Sequence, residues 1–114
     1  MLMMFLGLQA ATGEPVRMLQ PVESAVIQRA VVSKLRDPDS AKFDLPPVIV
    51  SSDRYCGRVN SKNGFGGYVG YKRFVVLLVR DRQGKITSAT DPAVQSSDPL
   101  LSMIVERACA KGGY

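Results

Sequence analysis

From Val22 to Arg36, apolar positions recur at helical spacing. Val26, Ile27, Ala30, Val31 and Leu35 form one stripe, and Gln28, Arg29, Ser33 and Lys34 fill the other faces. Pro21 suits the first helical turn, where a missing N–H costs nothing. Lys34 and Arg36 suit the negative C-terminal end. Asp37-Pro38 ends the helix, because a residue before proline avoids the α region. Asp39 to Phe43 then reads as a turn that tucks Phe43 under the helix.

The pattern changes after Leu45-Pro46-Pro47. Val48 to Ser52 reads as a short strand beginning at a sheet edge, because prolines do not sit in central strands. Tyr55 to Asn60 reads as a second strand and Lys62 to Gly67 as a glycine loop. Tyr68 to Val79 is the longest strand. Its run Phe74-Val75-Val76-Leu77-Leu78-Val79 is apolar on both faces, which predicts a central strand covered on both sides for part of its length. Asp81 to Gly84 reads as a hairpin turn, Lys85 to Ala89 as the partner strand and Thr90 to Ser97 as a loop. A last helix opens at Asp98-Pro99, with aspartate as N-cap and proline at the first helical position. Its stripe is Leu100, Leu101, Ile104, Val105 and Ala108.

The order αββββα predicts a two-layer α+β fold. An antiparallel sheet of about four strands carries the N- and C-terminal helices on one face. Residues 14–114 read as one domain. Residues 1–13 read as a truncated signal-like or disordered leader, because unbroken apolar character from Met1 to Leu8 gives way to small polar residues. The alternative is an N-terminus that docks on the core. The apolar run is shorter than the roughly 20 residues a membrane-spanning helix needs, so no transmembrane span is expected.

Composition narrows the chemistry. The chain has 114 residues, 46% of them hydrophobic, which is an ordinary globular value. Fifteen Lys and Arg stand against ten Asp and Glu, a net charge of +5. A basic balance suggests an acidic partner, although most of the charges are dispersed. The chain contains no histidine and two cysteines, which removes a Cys/His nucleophile pair and argues against a structural zinc site, which takes four such ligands. We expect no metal and no cofactor. Hydrolytic catalysis finds little support, because Asp37, Asp39, Asp91 and Asp98 all stand in turn or cap contexts.

Cys56 and Cys109 have two readings. In an exported protein they pair, closing a loop of 53 residues with about 4 kcal/mol of chain-entropy stabilisation. In a cytosolic protein they are two buried free thiols. Cys109 follows Val105 by four residues, so its sulfur points to the core side of the last helix, which permits a bond down to the strand.

The block from Tyr55 to Phe74 holds three of the four tyrosines and half of the glycines. It does not make a dinucleotide or Walker loop, and a strand rather than a helix follows it. It has a superficial likeness to an RNA-binding strand, with aromatics between glycines on a basic background, but one extra glycine breaks the alternation. The plainest reading is structural: glycines supply positive φ, and Asn60 and Asn63 satisfy backbone groups at the turn. The functional reading is a binding surface of Tyr55, Arg58, Lys62, Phe65, Tyr68, Tyr71, Lys72 and Arg73.

Three segments, Leu35 to Phe43, Tyr55 to Asn63 and Gly66 to Phe74, carry a resemblance. Together they resemble a family of small uncharacterised bacterial exported, periplasmic proteins with LKDPxSAxF and CGxVNxKNxxGGYxGF motifs and a late cysteine on a C-terminal helix. The resemblance covers most of the chain after residue 20. It implies an envelope location and a Cys56–Cys109 bond, and it brings no activity with it. The expected function is therefore a small periplasmic or secreted, disulfide-stapled, non-catalytic interaction module for a protein or an anionic envelope component. The alternative is a cytoplasmic single-stranded nucleic-acid binder that uses the glycine and aromatic strand.

Overall fold

The structure is a computed structural model that describes residues 14–114. The expected leader, residues 1–13, lies outside the described residues. In chain order the elements are β1 (Val16–Arg17), α1 (Pro21–Val32), a 3-10 turn (Pro38–Ser40), β2 (Lys42–Asp44), β3 (Val48–Ile49), β4 (Arg54–Asn60), β5 (Lys72–Arg80), β6 (Ile86–Val94) and α2 (Pro99–Lys111). The main sheet is antiparallel with strand order β2-β4-β5-β6, and β1 pairs with β3 in a separate two-stranded ribbon. This is the expected α+β fold: N- and C-terminal helices flank an antiparallel sheet of four strands.

The membership of that sheet differs from expectation at both edges. Its first strand is Lys42–Asp44, the stretch read as a turn, which pairs with Asn60, Val59 and Arg58. Val48 and Ile49 instead pair with Arg17 and Val16. Pro46 and Pro47 interrupt the ladder between the two pairings. At the other edge, β6 runs on through Asp91-Pro92 to Val94. Asp91 adopts φ +51° where the pairing with β5 shifts register between Val75 and Leu77. The bulge absorbs one extra residue, and Pro92 is tolerated because β6 is an edge strand.

The helices do not share a face, which corrects the two-layer expectation. Strand alternation sends Tyr55, Val59, Phe74 and Val76 to one side, where they and Ile86 form a core with Ile27 and Val31 of α1. Cys56 and Val75 point the other way and form a second core with Val105 and Cys109 of α2. The central pair β4–β5 is thus buried on both faces. Two-sided apolar character calls for a cover on each side, and one helix supplies each. The second core is small, so part of the α2 stripe faces solvent: Leu100 is 60% exposed and Ile104 49%.

Within the first core, Phe74 is central. Phe43 meets it edge-on with ring centroids 6.1 Å apart, and Tyr55 lies tilted against it at the same separation. Gly57, opposite Phe74 in the ladder, makes room for the ring. A methyl group at Gly57 would sit 2.9 Å from that ring and 3.0 Å from the Asp44 carbonyl oxygen. Because β2 covers only Arg58–Asn60, the rest of the β4 edge is closed by other groups. The Tyr55 hydroxyl donates to the Pro46 carbonyl at 2.6 Å, and Tyr114 packs edge-on against the Tyr55 ring. The Tyr114 hydroxyl accepts from the Ile49 amide at 3.1 Å, linking the C-terminus to the β1–β3 ribbon.

One buried carboxylate ties three elements together. Glu23, in the first turn of α1 and in line with Ile27 and Val31, is fully buried. Arg17 of β1 donates to both of its oxygens at 2.7 Å. The Gln20 amide donates to Oε1 at 2.9 Å, and the Ile86 amide at the start of β6 donates to Oε2 at 2.8 Å. The Arg17 hydrogen bonds, reinforced by those two amides, hold the Glu23 carboxyl at about 2, below its ordinary 4.5, against the opposing effect of burial. Each oxygen has two donors, so this acid is structural.

Because the folded value of Glu23 is depressed, its contribution to stability is full above about pH 4.5 and is lost as pH falls towards 2. Wild-type melting temperature should therefore drop steeply across that window. Glu23→Gln should cost about 3 kcal/mol at pH 7 and flatten the acid limb in chemical denaturation followed by circular dichroism. An unchanged acid limb in the variant would contradict this.

Cys56 and Cys109 form a disulfide, with Cα atoms 5.9 Å apart, that ties α2 to β4 across the second core. Replacing either cysteine with alanine should lower stability by about 4 kcal/mol, read as a lower urea midpoint. A midpoint equal to that of wild type would mean that the small core holds α2 unaided.

Candidate functional site

The strands β4 and β5 continue beyond the sheet as an arm, Ser61 to Tyr71. Lys62 and Tyr68 pair across it, and the Asn63 amide donates to the Gly67 carbonyl at its end. Two asparagine side chains hold the turn. Asn63 Oδ1 accepts from the Phe65 amide at 2.9 Å and the Gly67 amide at 3.2 Å, and Asn60 Oδ1 accepts from the Gly70 amide at 3.0 Å. Gly66 and Gly70 have φ of +83° and +96°, which a side chain would strain. The arm leans on the 3-10 turn. The Tyr68 hydroxyl donates to the Ser40 carbonyl at 2.9 Å, and the Lys62 amide donates to Ser40 Oγ, also at 2.9 Å.

This arm presents most of the expected surface. Phe65 at its tip is 99% exposed, and Tyr68, Val69 and Tyr71 are partly or mostly exposed behind it. Lys42 and Lys62 flank Tyr68, their ammonium groups 4.6 and 5.7 Å from the ring centroid. Such contacts hold a cation by attraction to the ring quadrupole.

Below the arm, a cleft of about 410 Å³ lies at the end of the sheet. The turn after α1 contributes Lys34 and Arg36, and the arm and β5 contribute Lys62 and Lys72. Leu35, Val59, Val69, Val94 and Leu101 give it apolar walls, and no acidic residue lines it. None of those four cations forms a salt bridge to a described carboxylate, because the four ion pairs found are Arg17–Glu23, Arg54–Asp53, Arg58–Asp44 and Arg73–Glu106. Four cations without counterions around a concave, partly apolar surface create a positive potential that attracts anions.

Three expected surface residues lie elsewhere. Tyr55 is fully buried in the first core, where burial pushes its phenol above the ordinary value, so it leaves the surface. Arg58 and Arg73 stand opposite one another on β4 and β5, on the α2 side of the sheet. Arg58 bonds Asp44 at 2.6 Å, and Arg73 reaches Glu106 at 3.3 Å, so each already has a carboxylate. In their place the structure adds Lys34, Arg36 and Lys42. Lys34 and Arg36 are legible as a like-charged pair at a helix end, but local sequence explains them fully as partners of the helix dipole. Only the closure of β6 and the arm around that helix end turns them into a cleft wall.

Among the described residues, no cluster of three or more metal-ligating side chains occurs, and no helix is long and apolar enough to cross a membrane. No protein-family model, curated protein or solved structure matches the chain.

If Asn63 holds the arm, Asn63→Ala should accelerate hydrogen exchange at the Phe65 and Gly67 amides by about tenfold, the equivalent of one hydrogen bond. Global stability should stay within about 0.5 kcal/mol of wild type. Unchanged exchange at both amides would show that the remaining backbone bonds are enough.

Proposed function

We propose that the protein is a small exported, disulfide-stapled, non-catalytic binding module of the bacterial cell envelope, and that its partner is anionic. The observation that carries this reading is the cleft with Lys34, Arg36, Lys62 and Lys72, which no carboxylate neutralises. A folded protein gains nothing for its own stability by gathering like charges around a concavity, and an anion relieves that repulsion. The disulfide supports export, since such bonds persist in oxidising compartments. The resemblance to small exported bacterial proteins agrees with that location. Glu23, the buried acid, is fully engaged by donors, which leaves it no free lone pair for general-base chemistry.

A second reading, single-stranded nucleic acid in the cytoplasm, draws on Phe65 and Tyr71 standing exposed beside cations. It is weakened at Tyr68, because Lys42 and Lys62 already lie over that ring and compete with a stacking base.

Titration calorimetry with dextran sulfate and with oligodeoxythymidine separates the two. The proposal predicts salt-sensitive binding of dextran sulfate, weakened about tenfold or more by Lys34→Glu with Lys72→Glu in a variant that keeps its circular dichroism spectrum. Absence of polyanion binding at low salt contradicts the proposal, as do free thiols at Cys56 and Cys109 in freshly lysed cells. Oligodeoxythymidine bound more tightly than dextran sulfate favours the second reading.

A further inference from the structure

We infer that the arm and the cleft together form a docking device for an anionic lipid surface: Phe65 enters the apolar boundary while the cations behind it bind headgroup phosphates. This rests on the anionic-partner reading above and names the source of the anion.

The first support is the order of chemistry along the arm. Phe65 stands alone at the tip, 99% exposed, with no described group packed over it. Behind it Tyr68 and Lys62 pair across the arm, followed by Val69 and Tyr71, with Lys72 at the root. An apolar ring thus leads, and an amphipathic ring with two ammonium groups stands behind it, the order met when crossing from acyl chains to the headgroup level. Tyrosine suits the headgroup level because one end is apolar and the other polar. Lysine buries its stem and keeps its charge among the phosphates.

The second support is charge. No acidic residue stands between Asp53 and Asp81 in the chain, so neither strand of the arm repels an anionic surface. Lys34, Arg36, Lys42, Lys62 and Lys72 gather around the arm, none in an ion pair with a described carboxylate. Asp37 and Asp39 stand at the 3-10 turn the arm leans against, and the five cations outnumber them.

The third support is rigidity. Asn60, Asn63 and Ser40 hold the turn in one shape, so presenting Phe65 requires little further ordering on binding. At Tyr68 a stacking base would have to compete with the Lys42 and Lys62 ammonium groups already over the ring. A lipid surface needs only the tip and the cations.

The chain contains no tryptophan, so Phe65→Trp gives a single tryptophan, distinguishable by its emission from the four tyrosines, at a fully exposed position where the fold is not at risk. The disulfide-intact variant is mixed with vesicles of phosphatidylcholine alone and with vesicles of about seven parts phosphatidylcholine to three of phosphatidylglycerol. Emission should shift to the blue on the mixed vesicles, stay at the water value on the neutral ones, and return as salt shortens the screening length. Adding Lys62→Glu with Lys72→Glu should weaken vesicle affinity by at least about tenfold. An unshifted emission on anionic vesicles overturns the inference, and if dextran sulfate still binds, the broader anionic-partner reading survives. If neither binds, both fall. An equal shift on neutral vesicles removes the cations from the account, and a shift produced by oligodeoxythymidine but not by vesicles replaces lipid with nucleic acid.

Discussion

The structure depends on the two-sided burial of one strand pair. Along β4 and β5, alternate residues Tyr55, Val59, Phe74 and Val76 must leave water on one side, and Cys56 and Val75 on the other. The two described helices meet that demand, and each takes one face. The first face is wide and carries an aromatic chain from Phe43 through Phe74 and Tyr55 to Tyr114. The second is narrow, and the Cys56–Cys109 bond supplies there what apolar area does not. Glu23 and Arg17 complete the assembly by tying the start of α1 to β1 and to the β5–β6 turn, a polar joint where an apolar one would leave the Ile86 amide unsatisfied.

The same constraint explains where the site lies. The helices cover the middle of the strand pair, and the β4–β5 connection runs out past them. Backbone leaving a sheet must satisfy its own hydrogen bonds, and Asn60 and Asn63 do this from within the loop. The result is a shaped projection rather than a loose one. The space between it, the end of α1 and the end of β6 is the cleft. Its cations come from segments distant in the chain, and the acids that neutralise Arg58 and Arg73 lie on the opposite side of the sheet.

Much of this was legible in the sequence, and the failures have physical causes. Both helices, the central strands and the position of Cys109 on the inner side of α2 follow from periodicity, although α1 ends at Val32 rather than at Arg36. So does the need for cover on both sides of Phe74 to Val79, although the two-layer expectation did not act on it. The edges were misread, β2 as a turn and the second half of β6 as a loop, because their signals are weak or opposed. Lys42–Asp44 is too short to show alternation, and Asp91-Pro92 reads as a loop until a bulge at φ +51° carries it along an edge. Tyr55 was misplaced because tyrosine suits both a core with an acceptor and a surface. Its parity with Val59 and the Pro46 carbonyl decide the matter, and the second of these is a tertiary fact. Lys34 and Arg36 were visible as helix-end cations, but nothing local points them at Lys62 and Lys72.

The central claim is that the end of the sheet, cleft and arm together, is where this protein meets an anionic partner. The most direct measurement is a map of amide chemical shifts as dihexanoyl phosphatidylglycerol is added below its micelle concentration. The account predicts saturable shifts at Leu35, Arg36, Lys62, Phe65, Val69 and Lys72. Shifts centred instead on Leu100, Met103 and Ile104 of α2, or no saturable shifts at all, would contradict it.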